Sequence, residues 1–147
     1  AEAPAQPAET QAPVQPSDTQ APAPAAATDT PAAAAGGKQV DITLVDNKIQ
    51  ASLTSFQVGV PYTFVITNSG RHAHNFNIST PVGVAGSLDN ALSTALLAVP
   101  QAQLGPGASV TVPFTFPESA AGAQLEFSCL IRRHYQDGMF QAITVSK

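Results

Sequence analysis

The sequence predicts an all-β domain, an antiparallel sandwich or barrel with one short inserted helix, behind a disordered Pro/Ala-rich tail. Three observations predict it. From Lys38 onward apolar residues recur at every second position. Clusters of turn-forming residues separate those runs. The composition changes sharply near Gly36-Gly37, dividing the chain into a tail, 1–37, and a domain, 38–147.

The tail is built from Ala, Pro, Gln, Thr and a few acids, and it holds seven of the 13 prolines. It has no Leu, Ile, Phe or Tyr. Such a segment cannot bury enough apolar surface to offset the entropy of ordering, so it is expected to be disordered. Its prolines favour an extended conformation, with a ceiling on its reach on the order of 100 Å.

In the domain, Val40, Ile42 and Leu44 alternate with polar neighbours, as do Tyr62, Phe64 and Ile66. Val110, Val112, Phe114 and Phe116 follow the same rule, then Leu125 and Phe127, then Ile143 and Val145. A period of two marks strands with one face in the core. Asn68-Ser69-Gly70 and Gly105-Pro106-Gly107 read as turns between them. Pro113 lacks an N–H for a ladder, so its strand is expected at an edge or a bulge. One segment departs from this period. Ser87 is a candidate N-cap for a helix through Leu88, Ala91, Leu92, Ala95, Leu96 and Val99, spaced i, i+3, i+4, and Pro100 ends it.

Charge and composition exclude several classes of function. The net charge of −4 offers no electrostatic case for nucleic acid. The tail carries Glu2, Glu9, Asp18 and Asp29 with no base, leaving six acids and six bases in the domain, whose formal charge is zero. No run of 18 apolar residues is present, so no helical membrane span is expected. The chain opens at Ala1 without a Met or a basic-plus-apolar leader, the expectation for a processed product whose export signal or N-terminal anchor has been removed. The single cysteine, Cys129, can form no internal disulfide. A lone Cys is ordinarily a small buried hydrophobe.

The neighbours of Cys129 argue for chemistry instead. Cys129, His134 and Met139 follow the spacing C-x4-H-x4-M between a strand ending at Phe127-Ser128-Cys129 and one starting at Phe140. A loop joining two strands can wrap all three side chains round one point. A fourth ligand must come from elsewhere, and His74, at the start of another strand, is the best candidate, ahead of His72. Two imidazoles, a thiolate and a thioether are the ligands of a blue-copper electron-transfer site. Thiolate and thioether are soft and stabilise Cu(I), whereas imidazole suits Cu(II). Zinc on His2Cys is chemically open, but an axial Met argues for copper.

These residues resemble the cupredoxins. His74-Asn75 followed by C-x4-H-x4-M carries the likeness, and within the family Phe127-Ser128-Cys129, His134-Tyr135, Gly138-Met139 and Leu104-Gly105-Pro106-Gly107 look most like the auracyanins of filamentous photosynthetic bacteria. The resemblance covers roughly residues 38–147 and leaves the tail unexplained. It implies a cupredoxin-like Greek-key β-sandwich with one type 1 copper on His74, Cys129, His134 and Met139. It further implies that Asn75 ties the two ligand-bearing segments together, with its amide toward the Cys129 sulfur, and that the Ala73 carbonyl is a weak axial contact. In this family Pro-Gly usually precedes the second His, and here Arg132-Arg133 stands there, so loop shape and charge beside the site are expected to differ.

The expected function is single-electron transport, without catalysis, in a respiratory or photosynthetic chain. Expected partners are redox proteins such as a c-type cytochrome or a membrane electron-transfer complex, met by a monomer in the periplasm, peripheral to the membrane. The alternative is a type 1 copper module of a copper oxidase or reductase. Such enzymes need further His-rich copper sites, and this chain has three His in all. Copper storage or delivery fits less well, because one Cys and one Met make no exchangeable cluster.

Overall fold

The computed structural model describes residues 37–147, and the expected disordered tail lies almost wholly outside the described residues. The alternating apolar runs form two facing sheets. The first has strand order β2 (Lys48–Ala51), β1 (Lys38–Val45), β4 (Pro61–Asn68) and β7 (Ser109–Thr115). The second is ordered β3 (Ser55–Gln57), β9 (Phe140–Ser146), β8 (Leu125–Ser128), β5 (Phe76–Ser79) and β6 (Leu97–Val99).

Both sheets are mixed rather than purely antiparallel. β1 runs parallel to β4, from Lys38 opposite Tyr62 to Leu44 opposite Asn68. β3 runs parallel to β9. Alternation reports which face is buried and carries no strand direction, so this pairing was beyond the pattern. Pro113 lies in β7, an edge strand of the first sheet, and the register with β4 continues through it unbroken. Its missing N–H therefore costs no ladder bond toward a further strand.

The inward positions meet between the sheets. Val40, Ile42, Leu44, Phe64 and Ile66 come from the first sheet, and Phe76, Ile78, Phe127, Ile143 and Val145 from the second; all are buried. Phe56 sits at the centre of an aromatic cluster, its ring centroid 4.9 Å from Phe116, 5.1 Å from Tyr62 and 5.7 Å from Phe127. Five phenylalanines, Phe56, Phe64, Phe76, Phe116 and Phe127, are core residues, and Phe114 packs beside them half-buried. Each such ring buries roughly 150–250 Å², so this cluster dominates the core energetics.

β5 and β8 are buried on both faces, which is why polar residues occur inside them. Their outer positions, Asn77, Ser79, Glu126 and Ser128, are each at most 3% exposed. Ser79 and Ser128 share a hydroxyl bond of 2.8 Å, Asn77 Nδ2 donates to the Ser128 carbonyl at 3.2 Å, and Glu126 accepts from the Tyr135 hydroxyl at 2.8 Å. The insert after β5 begins with two short helices, α1 (Val82–Ala85) and α2 (Leu88–Ser93). Ser87 caps α2, its Oγ accepting the Asn90 N–H at 3.1 Å. The helix stops at Ser93, well short of Val99. Leu97–Val99 instead form β6, antiparallel to β5, with the Leu96 N–H donating to the Ile78 carbonyl.

Candidate metal centre

The site is built where two loops meet at one end of the sandwich. The first loop joins β4 to β5 and carries His74. Asn68, fully buried at the end of β4, organises it. Its Nδ2 donates to the carbonyls of His72 and Leu104, both at 2.8 Å, and its Oδ1 accepts the Gly70 N–H at 2.8 Å. The His74 N–H donates to the Leu104 carbonyl at 3.0 Å. The backbone at His74 is therefore held from both sides, and its ring is fully buried.

The second loop follows β8. Cys129 is the first residue beyond that strand, is fully buried, and donates its N–H to the Met139 carbonyl at 3.0 Å. Residues Arg132–Gln136 form a short helix, α3, which carries His134. The chain turns back at Gly138, whose φ of +95° suits glycine, and the Met139 N–H reaches the His134 carbonyl at 3.0 Å. Met139 is fully buried in the same core cluster as Cys129. Arg132 and Arg133 open α3 and are exposed.

These two loops bring His74, Cys129 and His134 together. The Nδ1 atoms of the two histidines are 3.0 Å apart, and the Cys129 Sγ lies 3.8 Å from Nδ1 of His74 and 3.5 Å from Nδ1 of His134. All three donor atoms fall within 4.8 Å of one another. A metal about 2.0–2.1 Å from nitrogen and about 2.3 Å from sulfur allows pairs up to roughly 4.1–4.4 Å apart. Every observed separation meets that limit, so these three donor atoms are close enough to share one ion.

A scan against protein-family models finds no match, and a search of curated proteins finds none either. Solved structures do match. Reduced auracyanin from the photosynthetic bacterium Roseiflexus castenholzii is 23% identical over 76% of this chain and 99% of that one, with a TM-score of 0.56. The fold is the cupredoxin fold. Auracyanin A, a "blue" copper protein from the green thermophilic photosynthetic bacterium Chloroflexus aurantiacus, is 20% identical over 76% of this chain and all (100%) of that one, at a TM-score of 0.53. An azurin from the methylotroph Methylomonas sp. strain J is 18% identical over 75% and 98% of the two chains, also at 0.53.

On this cupredoxin frame Asn75 joins the two loops. Its Oδ1 accepts the Leu130 N–H at 2.7 Å and an Asn77 Nδ2–H at 3.0 Å. Burial pushes the Cys129 thiol pKa up, while backbone hydrogen bonding from Ile131 and Asn75 pulls it back. For His74, burial and then the neighbouring His134 charge lower the pKa, against an upward pull from Asp46. A neutral imidazole is the form that ligates metal. His72 is exposed, with its ring centroid 6.3 Å from that of His134. Of the apolar residues near His134, Leu130 is buried, Ile131 is half-buried and Phe140 is exposed, stacked on Tyr135 at 4.9 Å.

Asp46, in the hairpin between β1 and β2, is a site residue the sequence did not reveal. Its Oδ1 accepts the N–H groups of Arg71 and His72 at 3.0 and 3.3 Å and stands 3.5 Å from Nε2 of His74. In the sequence Asp46-Asn47 reads only as turn residues between two strands. Glu126 was missed too. Its Oε1 accepts the Tyr135 hydroxyl at 2.8 Å, and that hydroxyl accepts the Val82 N–H at 3.1 Å, linking α3 to α1.

Proposed function

We propose that this chain is a single-electron carrier with one type 1 copper held by His74, Cys129, His134 and Met139. The observation that carries the reading is the convergence of two imidazole Nδ1 atoms and one buried cysteine sulfur at 3.0–3.8 Å. The same thiolate and imidazole set, with Met as a weak axial donor, selects copper over zinc. When bound, copper supplies one electron by cycling between Cu(I) and Cu(II).

The protein's own residues hold, shield and expose the centre. His74 and Cys129 are fully buried, so bulk water does not reach those donors. Met139 is tied by its backbone to both Cys129 and His134, which suits it to an axial role. The Ala73 carbonyl is the candidate for a weak contact opposite. Asn75 keeps the two loops in register, as partners beyond the ligands commonly do. His134 alone of the three is partly exposed, which makes its ring edge the exit for the electron.

The reading extends to an extracytoplasmic carrier, not an enzyme, serving a c-type cytochrome or a membrane redox complex. Two of the three histidines are in the cluster and the third, His72, is exposed with its ring 6.3 Å from that of His134, so no second His-rich cluster forms among the described residues. That disfavours the alternative of an oxidase or reductase module.

Adding Cu(II) to the metal-free protein should produce an intense visible band at one copper per chain, from sulfur-to-copper charge transfer. Cys129→Ser should abolish that band and leave the far-UV circular dichroism of a folded β domain. A serine variant that stays blue, or a colourless wild-type copper complex, would refute the assignment.

A further inference from the structure

We propose that Asp46 is a positioning residue for the metal centre: its carboxylate holds the His74 ring in the tautomer with hydrogen on Nε2, leaving the Nδ1 lone pair for the ion. This rests on the assignment of His74 as a ligand.

The geometry points there from three directions. First, the Nε2 of His74 is fully buried and has no hydrogen-bond partner among the described residues, while the nearest carboxylate oxygen, Oδ1 of Asp46, faces it at 3.5 Å. That separation is longer than an ideal N–H···O bond, and closing by about 0.5 Å brings it into range. Second, the same oxygen is fixed by two backbone donors, Arg71 and His72, on the segment just before His74. The carboxylate therefore cannot swing away without releasing the loop that carries the ligand. Third, the packing leaves no room between the two groups for a side chain. A Cβ at Gly70 would lie 2.5 Å from Oδ1 of Asp46 and 3.0 Å from Nε2 of His74.

An imidazole with one proton has one donor and one acceptor nitrogen, and the partner of one decides the role of the other. A carboxylate at Nε2 can only accept, so the proton belongs on Nε2 and Nδ1 is left as the donor atom to metal. In the metal-free protein the 3.0 Å contact between the two Nδ1 atoms then runs from His134 to His74. A negative charge behind a ligand also raises its basicity and favours the more highly charged ion. Asp46 thus stabilises Cu(II) over Cu(I) and lowers the reduction potential. Its side chain is 37% exposed, so water and salt weaken the effect without removing it.

The test uses Asp46→Asn and Asp46→Ala in the full chain. Asparagine can still accept the two backbone bonds but is neutral; alanine loses both. Nitrogen-15 NMR of the His74 ring, in metal-free and zinc-loaded protein, reads the tautomer and the exchange rate of the Nε2 proton. The wild type should be Nε2-protonated, with exchange at least tenfold slower than in Asp46→Ala. Competition with Cu(I) and Cu(II) chelators reads affinity. Asp46→Asn should lose about tenfold more Cu(II) than Cu(I) affinity, within the 10–100-fold range for such partners, which raises the potential by about 59 mV. Equal loss of both affinities with an unchanged tautomer would make Asp46 only a loop brace and overturn the proposal. So would an Nδ1-protonated ring in the wild type. A wild type that binds neither metal would instead fault the copper reading, and the metal-free tautomer would still judge Asp46.

Discussion

The link between the two ligand loops can be weighed by removing Asn75. In Asn75→Ala two hydrogen bonds disappear, one from the Leu130 N–H at 2.7 Å and one from Asn77 Nδ2 at 3.0 Å. Asn77 Nδ2 retains the Ser128 carbonyl at 3.2 Å, so its loss is partial. Leu130 is 7% exposed, and its N–H has no other acceptor among the described residues. An orphaned buried donor costs about 1–3 kcal/mol, and the lost half of the Asn77 pair adds about 0.5–1 kcal/mol. The expected destabilisation is about 1.5–4 kcal/mol, a large share of the roughly 5–15 kcal/mol typical of a domain. At about 4 °C per kcal/mol for this size, Tm should fall by roughly 6–16 °C. Urea and thermal unfolding of the metal-free protein, followed by far-UV circular dichroism, measure this without copper. Asn75→Asp keeps an acceptor for both donors and should recover at least half the loss. An alanine variant within 0.5 kcal/mol of wild type would show that Asn75 does not clamp the loops.

Met139→Leu should raise the reduction potential while copper stays bound, because loss of a weak axial donor favours Cu(I); voltammetry showing no change, or loss of metal, contradicts the axial role. Arg132→Glu combined with Arg133→Glu should slow electron transfer to an acidic redox partner. The deficit should shrink as salt rises toward 0.15 M, where the screening length is about 8 Å, and a salt-independent deficit with a shifted spectrum would make the pair structural. Burial raises the pKa of Glu126, against the Tyr135 hydroxyl bond that lowers it. A raised carboxyl contributes stability below its ordinary range near about 4.3 and loses it as pH climbs through the folded value. Glu126→Gln should therefore gain stability relative to wild type above that window and little below it, in denaturation series from pH 4 to 8; an equal difference at every pH refutes the ionisation penalty.

What the sequence alone determined is local. Period-two runs such as Val40-Ile42-Leu44 and Tyr62-Phe64-Ile66 state which face of each strand is apolar, and the folded chain buries all six. The C-x4-H-x4-M loop is legible because Cys129 and His134 are carried by one short segment whose ends are adjacent strands, so chain connectivity itself brings them near. His74 was legible from its residue type and its place before β5. Ser87 announced its helix because a cap acts three residues away.

What only the tertiary structure decided is non-local. Leu96 to Val99 satisfy helical spacing as well as they satisfy a strand, and the open backbone edge of β5 settled the matter by offering hydrogen bonds to Leu96 and its successors. The parallel pairing of β1 with β4 is likewise a choice among partners, not a property of either run. Arg132 and Arg133 lie in a helical turn whose bonds close from Ile131 to Tyr135 and from Arg133 to Asp137, where spacing alone shows only a loop. Asp46 is 28 residues from His74, and only the hairpin's position over the β4–β5 loop puts its carboxylate 3.5 Å from the ring. Residue type fixes what a side chain can donate or accept, but distance in space decides whether it does, and that distance is set by which strands pair.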